Sequence, residues 1–329
     1  MTDIISLPDS VDAHSLAEWV ELVMLIDNID DFSTTEMLAM FPSGRRPPVQ
    51  DVEIALGLIE DRSVAGPSLY PFRRIGDRVL RAGHADSGTG PVDDCVYTFF
   101  KVACMQFAPW VQQFRAHEIG SLFDYPVRDA MMAWLGAGSR GLVFGWPPRE
   151  GRPASLVDAV SWLAGQLGLP DGDLDRPPDG NDGGVDCVVW KPPHDERSGF
   201  PVWLVQASVE HSIVEKATHV IPLEGWKRWI KFGAGPVTVF ATPHSIPRGS
   251  NVWMDLNDAA VLVADRDRLI NQLHEAGIAG TPPPWLNELC NFVAEQVDTI
   301  RNLPDGEPAP RVRRRKRERT SDHVDPLAR

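Results

Sequence analysis

The stretch GGVDCVVWKPPHDERSGFPVWLVQAS, residues 183–208, decides the fold of this chain. It contains two apolar runs rich in β-branched and aromatic residues, 185–190 and 201–208, and each run is typical of a strand. The segment between them combines two prolines, a glycine and several charged residues, which is the composition of a loop. The sequence therefore predicts a β-hairpin at the centre of an α/β domain.

Polar side chains stand at suggestive positions on this hairpin. Asp186 is the only charged residue of the first run, while Gln206 and Ser208 share one face of the second because strand side chains alternate. A carboxylate inside an apolar strand needs a partner, which could be a metal ion, a set of donors or an exposed cleft. A carboxylate that caps a loop or accepts backbone N–H bonds at the strand end is the structural alternative.

On these residues the chain resembles the PD-(D/E)xK phosphodiesterases, the restriction-endonuclease-like nucleases. In that superfamily one strand carries an Asp and the next carries Glu-x-Lys. Asp186 corresponds to the Asp, and Gln206-Ala207-Ser208 lies where Glu-x-Lys would be. The Gly-Gly-Val-Asp lead-in and the Gln are similar to the Mrr-type branch, in which Gln replaces the Glu. Ser208 departs from the pattern, since a hydroxyl cannot supply the positive charge of the lysine.

The resemblance implies two further site residues. Lys216, in the helix expected after the second strand, is a candidate for the displaced lysine, although it could also be a solvated lysine on a helix surface. Asp124, in a helix expected over residues 122–136, stands where the family often places an acid. Glu118 and Asp129 are alternatives to Asp124, and a surface or capping role for all three acids stays open.

The activity that the resemblance implies is metal-dependent hydrolysis of DNA or RNA. Asp186, Gln206, Asp124 and a backbone carbonyl of the second strand are expected to hold Mg²⁺ or Mn²⁺, with Ser208 beside them. A role in bacterial restriction or antiviral defence follows from the same resemblance. The alternative is a catalytically inert nuclease fold that serves as a scaffold or sensor for a protein partner, because the Gln and the Ser remove two charges that the chemistry uses.

Outward from the hairpin, the pattern predicts three parts. Residues 1–118 form a mainly helical N-terminal domain, residues 119–302 a restriction-endonuclease-like α/β domain with a mixed sheet flanked by helices, and residues 303–329 a disordered basic tail. The stretch 68–83 is aromatic and then basic, so it predicts either a strand packed on the helices or a wing that contacts DNA. A helix is expected over residues 91–114.

Other elements of the α/β domain follow from local signals. Apolar runs predict strands at 141–147, 235–242 and 259–266, and an amphipathic helix is expected between Ser155 as N-cap and a stop near Gly168. The acidic loop 171–184 is expected to cover the cleft, with Asp182 as a supporting acid.

Composition narrows the class of protein. The net charge is −14, and residues 305–329 hold eight basic and five acidic residues, so the first 304 residues carry −17. That charge disfavours nucleic-acid binding by the main body alone.

Four cysteines without a CxxC pair and nine histidines without zinc-site spacing predict no zinc site, and Cys187 is expected to be a packing residue. No apolar run is long enough for a membrane span, and the polar start predicts a cytoplasmic protein.

Overall fold

The computed structural model of the chain describes residues 12–65, 70–81, 91–105, 116–173, 181–195, 197–210, 212–219, 221–259, 261–278 and 280–301. The proposed tail, residues 303–329, lies outside them. Within the described ranges, no helix combines the length and the apolar character that a membrane crossing requires.

The N-terminal part is built from three helices and a small antiparallel sheet of order β1-β3-β2. Its elements are α1 (Ala13–Ile26), β1 (Asp31–Ser33), α2 (Thr34–Met40), α3 (Val49–Ala65), β2 (Phe72–Ile75) and β3 (Arg78–Arg81). Ser33 begins α2 with a capping box in which Glu36 returns a bond to the Ser33 backbone. Phe72 and Val79 are buried, so the hairpin of β2 and β3 packs on the helices.

The main sheet has five strands whose spatial order follows their sequence order. They are β4 (Arg140–Val143), β5 (Cys187–Trp190), β6 (Val202–Ala207), β7 (Val237–Ala241) and β8 (Leu262–Ala264). The pairs β4–β5 and β5–β6 are antiparallel, whereas the pairs β6–β7 and β7–β8 are parallel. Parallel neighbours need crossover connections, and helices supply them here.

Helices cover both faces of this sheet. They are α4 (Pro91–Met105), α5 (Ala116–Leu135), α6 (Leu156–Leu167), α7 (Ile213–His219), α8 (Leu223–Trp229), α9 (Asn251–Asp258), α10 (Arg266–Glu275) and α11 (Leu286–Arg301). Cys187 and Val189 belong to the core that contains α5 and α10, whereas Val188 and Trp190 belong to the core that contains α6 and α8. The mixed sheet flanked by helices confirms the predicted α/β class and is consistent with the endonuclease-like fold.

The central hairpin and the helix that begins after Ser155 confirm the sequence patterns. Strands β5 and β6 pair in antiparallel register, with Cys187 opposite Val205. The Ser155 side chain accepts a bond from the Asp158 backbone, and α6 ends at Gly168, whose φ of 69° lies in the left-handed region that favours glycine. Cys187 is fully buried, as expected of a packing residue.

A buried ionic network, which we call the charge network, joins the N-terminal helices to α10. Its members are Glu18, Glu21, Arg62, Lys101 and Arg266. Two distances illustrate it: Arg266 Nη2 lies 2.6 Å from Glu18 Oε1, and Lys101 Nζ lies 2.9 Å from Glu21 Oε2. Arg62 pairs with both glutamates. The Tyr97 hydroxyl also donates to Glu21 Oε2 over 2.8 Å.

A disulfide between Cys95 of α4 and Cys290 of α11 adds a covalent link, with a Cα–Cα distance of 5.7 Å. The sequence analysis did not foresee this pair. The division at residues 118 and 302 stays a prediction.

Candidate active site

Asp186 lies one residue before β5 and is bonded to both neighbouring strands. Its backbone carbonyl accepts bonds from Phe144 N, over 2.6 Å, and from Gly145 N, over 2.9 Å, where the chain leaves β4. On the other side, Asp186 N donates to Val205 O over 2.8 Å, and the carboxylate oxygen Oδ2 accepts from Ala207 N over 2.8 Å. The carboxylate therefore lies at the end of β6.

Gln206 and Ser208 occupy the end of β6 beside this carboxylate. Continuing the β5–β6 register by one residue sets Asp186 opposite Gln206, and opposite residues of an antiparallel pair share a face. Gln206 is 6% exposed and Ser208 is 7% exposed. The Ser208 backbone N–H bonds Ala241 O over 2.9 Å, and its hydroxyl accepts from the Glu210 backbone N–H over 3.3 Å.

Asp124 reaches the same region from helix α5. Its side chain is buried, and its carboxylate oxygen Oδ2 accepts a bond from Arg149 Nη2 over 2.6 Å. A second nitrogen of the same guanidinium, Nη1, donates to Ser121 O over 2.6 Å. The Cys187 thiol donates to the Asp124 backbone carbonyl over 3.2 Å, which ties α5 to β5.

Gly145 separates the two carboxylates. A Cβ atom added to this buried glycine would lie 3.1 Å from Asp186 Oδ1 and 3.5 Å from Asp124 Oδ2. The two oxygens therefore face one common point, and the absence of a side chain at Gly145 leaves that point open. We call Asp186, Asp124, Gln206, Gly145 and Arg149 the carboxylate site.

The electrostatics of the carboxylate site favour protonated acids. Burial raises the pKa of Asp124 to about 7, although the bonded Arg149 acts in the opposite direction. The pKa of Asp186 is raised well above its ordinary value, first by loss of solvent around the carboxylate and then by the charge of Asp124. The bond from Ala207 and the Arg149 charge only partly oppose this rise. Two neighbouring buried carboxylates ionise together only when another positive charge lies close to them.

Asp182 and Arg152 lie at the border of the site. Asp182 Oδ1 accepts a bond from Gly184 N over 2.9 Å, and the Asp182 charge raises the pKa of both Asp124 and Asp186. The Arg152 guanidinium stacks on Phe144, 4.4 Å from the ring centroid. Burial lowers the pKa of Arg152, and Asp182 opposes that change. Of the loop 171–184, residues 174–180 lie outside the described ranges, so its covering role stays a prediction.

Other proposed residues make different contacts. Lys216 Nζ forms an ion pair with Glu210 Oε1 at 3.0 Å, and the lysine side chain is 36% exposed. Asp129 accepts bonds from Arg128 Nε of the same helix over 2.8 Å and from Trp285 Nε1 over 2.7 Å, so both of its oxygens are engaged by these side chains. Glu118 lies in the first turn of α5. Of the three acids considered on this helix, Asp124 is the one that shares a glycine neighbour with Asp186.

Sequence reasoning missed Gly145 and Arg149. Both belong to the segment GWPPRE, residues 145–150, which follows β4; the predicted strand 141–147 included Gly145 and ended before Arg149. The usable signal was a glycine at the end of an apolar run, followed by two prolines and a cation. Such a segment is typical of a loop held close to a neighbouring backbone.

The donor set of the carboxylate site is small. Within the described ranges, no group of three or more His, Cys, Asp or Glu side chains is placed to hold a metal ion. The Asp186 and Asp124 carboxylates supply oxygen donors, which are the ligands that Mg²⁺ and Mn²⁺ prefer.

Comparison with known proteins adds little to these observations. No family model and no curated protein matches the chain. Among solved structures, the MspJI restriction endonuclease in complex with a 27-mer oligonucleotide is similar over 64% of this chain, with 13% identity and a TM-score of 0.27. The match spans 37% of that endonuclease chain. A likeness of that size transfers no activity to this chain.

Proposed function

We propose that the chain is a metal-dependent nuclease that hydrolyses phosphodiester bonds in DNA or RNA. One observation carries the proposal: Asp186 and Asp124 face a common open point beside Gly145 at the end of a mixed sheet. Burial raises the pKa of both acids, and the Arg149 charge only partly opposes this rise. A divalent cation would supply further positive charge.

The residues fit Mg²⁺ or Mn²⁺. The space that a Cβ of Gly145 would fill lies between the two carboxylates, and Asp186, Asp124 and the Gln206 amide oxygen are the side chains that would hold the ion. When bound, such an ion polarises the phosphate and lowers the pKa of a bound water. The Asp186 carboxylate is oriented for this role by the bond from Ala207 N.

A positive charge from the chain itself is also present. Arg149 contacts Asp124 directly, and a guanidinium suits the planar oxygens of a phosphate. We propose that Arg149 takes the part that the resemblance assigns to the missing lysine, with Lys216 as the alternative. Ser208, at the end of β6, is a candidate hydrogen-bonding group for the substrate.

Purified protein incubated with plasmid DNA, single-stranded DNA and RNA, with Mg²⁺, with Mn²⁺ and with EDTA, tests the proposal. Cleavage is expected with a divalent ion and is expected to stop in EDTA. The Asp186→Asn variant, purified in the same way, serves as the matched control for contaminating nucleases. Equal cleavage by wild type and Asp186→Asn contradicts the site.

A second candidate function is the inert scaffold. The bond between Arg149 and Asp124 already neutralises one of the two carboxylates, and Ser208 stands in place of a lysine. Absence of cleavage under every metal condition, together with stable capture of a protein partner, favours this role. The nuclease proposal also includes a cytoplasmic role in defence, nucleic acid as the partner and the division of the chain into three parts.

A further inference from the structure

Among the tryptophans in the described part of the chain, Trp146 is the exposed one, with 45% of its surface accessible. Trp19, Trp226, Trp229 and Trp285, in contrast, are buried. Tryptophan combines a large apolar surface with one polar N–H group, so an exposed tryptophan is typical of a binding surface. We propose that Trp146 stacks on an unpaired nucleobase and makes single-stranded nucleic acid the preferred substrate. This inference rests on the proposed nuclease function.

The position of Trp146 connects it to the carboxylate site. The residue before it, Gly145, is the glycine that faces both carboxylates, and Gly145 N donates to Asp186 O over 2.9 Å. Consecutive Cα atoms are about 3.8 Å apart, so the backbone of Trp146 lies at the edge of the site. A base stacked there would bring its own phosphate close to Asp186.

The loop that carries Trp146 is held in place on both sides. The Arg149 guanidinium binds Ser121 O and Asp124, and Arg152 N donates to Arg149 O over 3.0 Å. Glu150 accepts a bond from Val143 N over 3.0 Å and pairs with Arg128 at 2.6 Å. An aromatic side chain on a held loop loses little conformational entropy when it binds.

The charge of the chain favours stacking as the source of affinity. The first 304 residues carry a net charge of −17, so contacts with phosphates supply less attraction than in a basic nuclease. Stacking of a base on an aromatic side chain needs no positive charge and tolerates any base, but it needs the base to be outside a duplex. An exposed indole beside an acidic site therefore selects for unpaired bases.

The test measures binding in the Asp186→Asn background with Mg²⁺, so that cleavage does not interfere. Labelled single-stranded DNA, single-stranded RNA of the same sequence and a blunt DNA duplex are titrated at one salt concentration, and fluorescence anisotropy gives each Kd. Trp146→Ala is expected to weaken single-strand binding about tenfold or more, since one stacked base contributes about that much. Trp146→Phe is expected to keep most of the affinity, and duplex binding is expected to change little.

Val237→Ala is the control, because Val237 is 43% exposed and begins β7 beside Trp203, at the end of the sheet away from Gln206. The Val237→Ala variant should bind each nucleic acid with the same affinity as the Asp186→Asn protein. The inference is overturned if Trp146→Ala keeps full single-strand affinity, or if it loses single-strand and duplex binding equally. If Trp146→Ala loses single-strand binding while the wild-type protein cleaves no nucleic acid with any metal ion, the stacking role is supported and the nuclease proposal is contradicted.

Discussion

The charge network and the carboxylate site both bury carboxylates, yet the pKa values of these carboxylates shift in opposite directions. In the charge network, two glutamates face three cations, which are Arg62, Lys101 and Arg266. These cations lower the pKa of Glu21 to about 2 and that of Glu18 well below its ordinary value, although burial alone would raise both. The glutamates are ionised, and positive charges from the chain fully match them.

The carboxylate site holds two aspartates with one directly bonded cation, Arg149. Burial is the largest influence here and it is not overcome, so the pKa of Asp124 rises to about 7. Removing one partner of a buried ion pair strongly destabilises a protein, because the remaining charge is left without compensation. A fold that retains an incompletely matched pair of acids keeps a place where an external cation can bind. The two regions thus differ in whether cations of the chain offset the burial of their carboxylates.

The largest expected difference between the two regions follows from neutralising one acid in each of them. Glu21→Gln leaves the three cations of the charge network with Glu18 as their remaining carboxylate, and it is expected to lower the free energy of unfolding by about 3–5 kcal/mol. Asp186→Asn removes a carboxylate that the site does not compensate, so stability at pH 8 without metal should stay equal or increase. Urea unfolding of both variants measures the difference. A marked loss of stability in Asp186→Asn shows that the site acids are structural.

Removing the cation of the carboxylate site tests whether Arg149 supports cleavage. Arg149→Gln is expected to slow cleavage about a hundredfold, since a positioned cation aimed at developing phosphate charge contributes roughly 3 kcal/mol. Lys216→Ala is the matched change at the surface ion pair with Glu210, which contributes at most about 1 kcal/mol to stability. Initial cleavage rates at saturating Mg²⁺ decide between the two cations. A large loss in Lys216→Ala alone assigns the cationic role to the lysine instead.

The two regions should also respond to opposite pH ranges. The folded pKa of Asp124 is raised to about 7, so the folded state holds an extra proton and loses stability as pH rises from about 4 through about 7. The folded pKa of Glu21 is lowered to about 2, so the charge network loses stability as pH falls from about 4.3 to about 2.

Thermal melting between pH 2 and pH 8, with and without Mg²⁺, measures both ranges. Mg²⁺ is expected to raise the Tm most above pH 7, where Asp124 loses its proton, and Asp124→Asn should flatten the decline between pH 4 and pH 7. An Mg²⁺ effect that is equal at pH 5 and pH 8 contradicts a metal site formed by these acids.

Local sequence signals determined much of the fold. Alternating apolar runs predicted the hairpin of β5 and β6, and helix signals predicted α6 between Ser155 and Gly168. The position of Asp186 beside Gln206 also followed from strand alternation, because side chains two residues apart share a face and paired strands align in register. The resemblance to a nuclease family placed Asp124 on the preceding helix, where the structure sets it beside Gly145 with Asp186.

The tertiary structure alone decided which charges are matched. Arg266 and Glu18 are 248 residues apart in the chain, and the bonded cysteines are separated by 195 residues. Arg149 lies 25 residues from Asp124, across the strand β4. Periodicity describes contacts within a turn or along a strand, whereas these pairs form only when separate elements pack together. The sequence alone therefore determined where the carboxylates lie on their elements, and packing decided that Glu21 is neutralised while Asp186 and Asp124 are left to share Arg149.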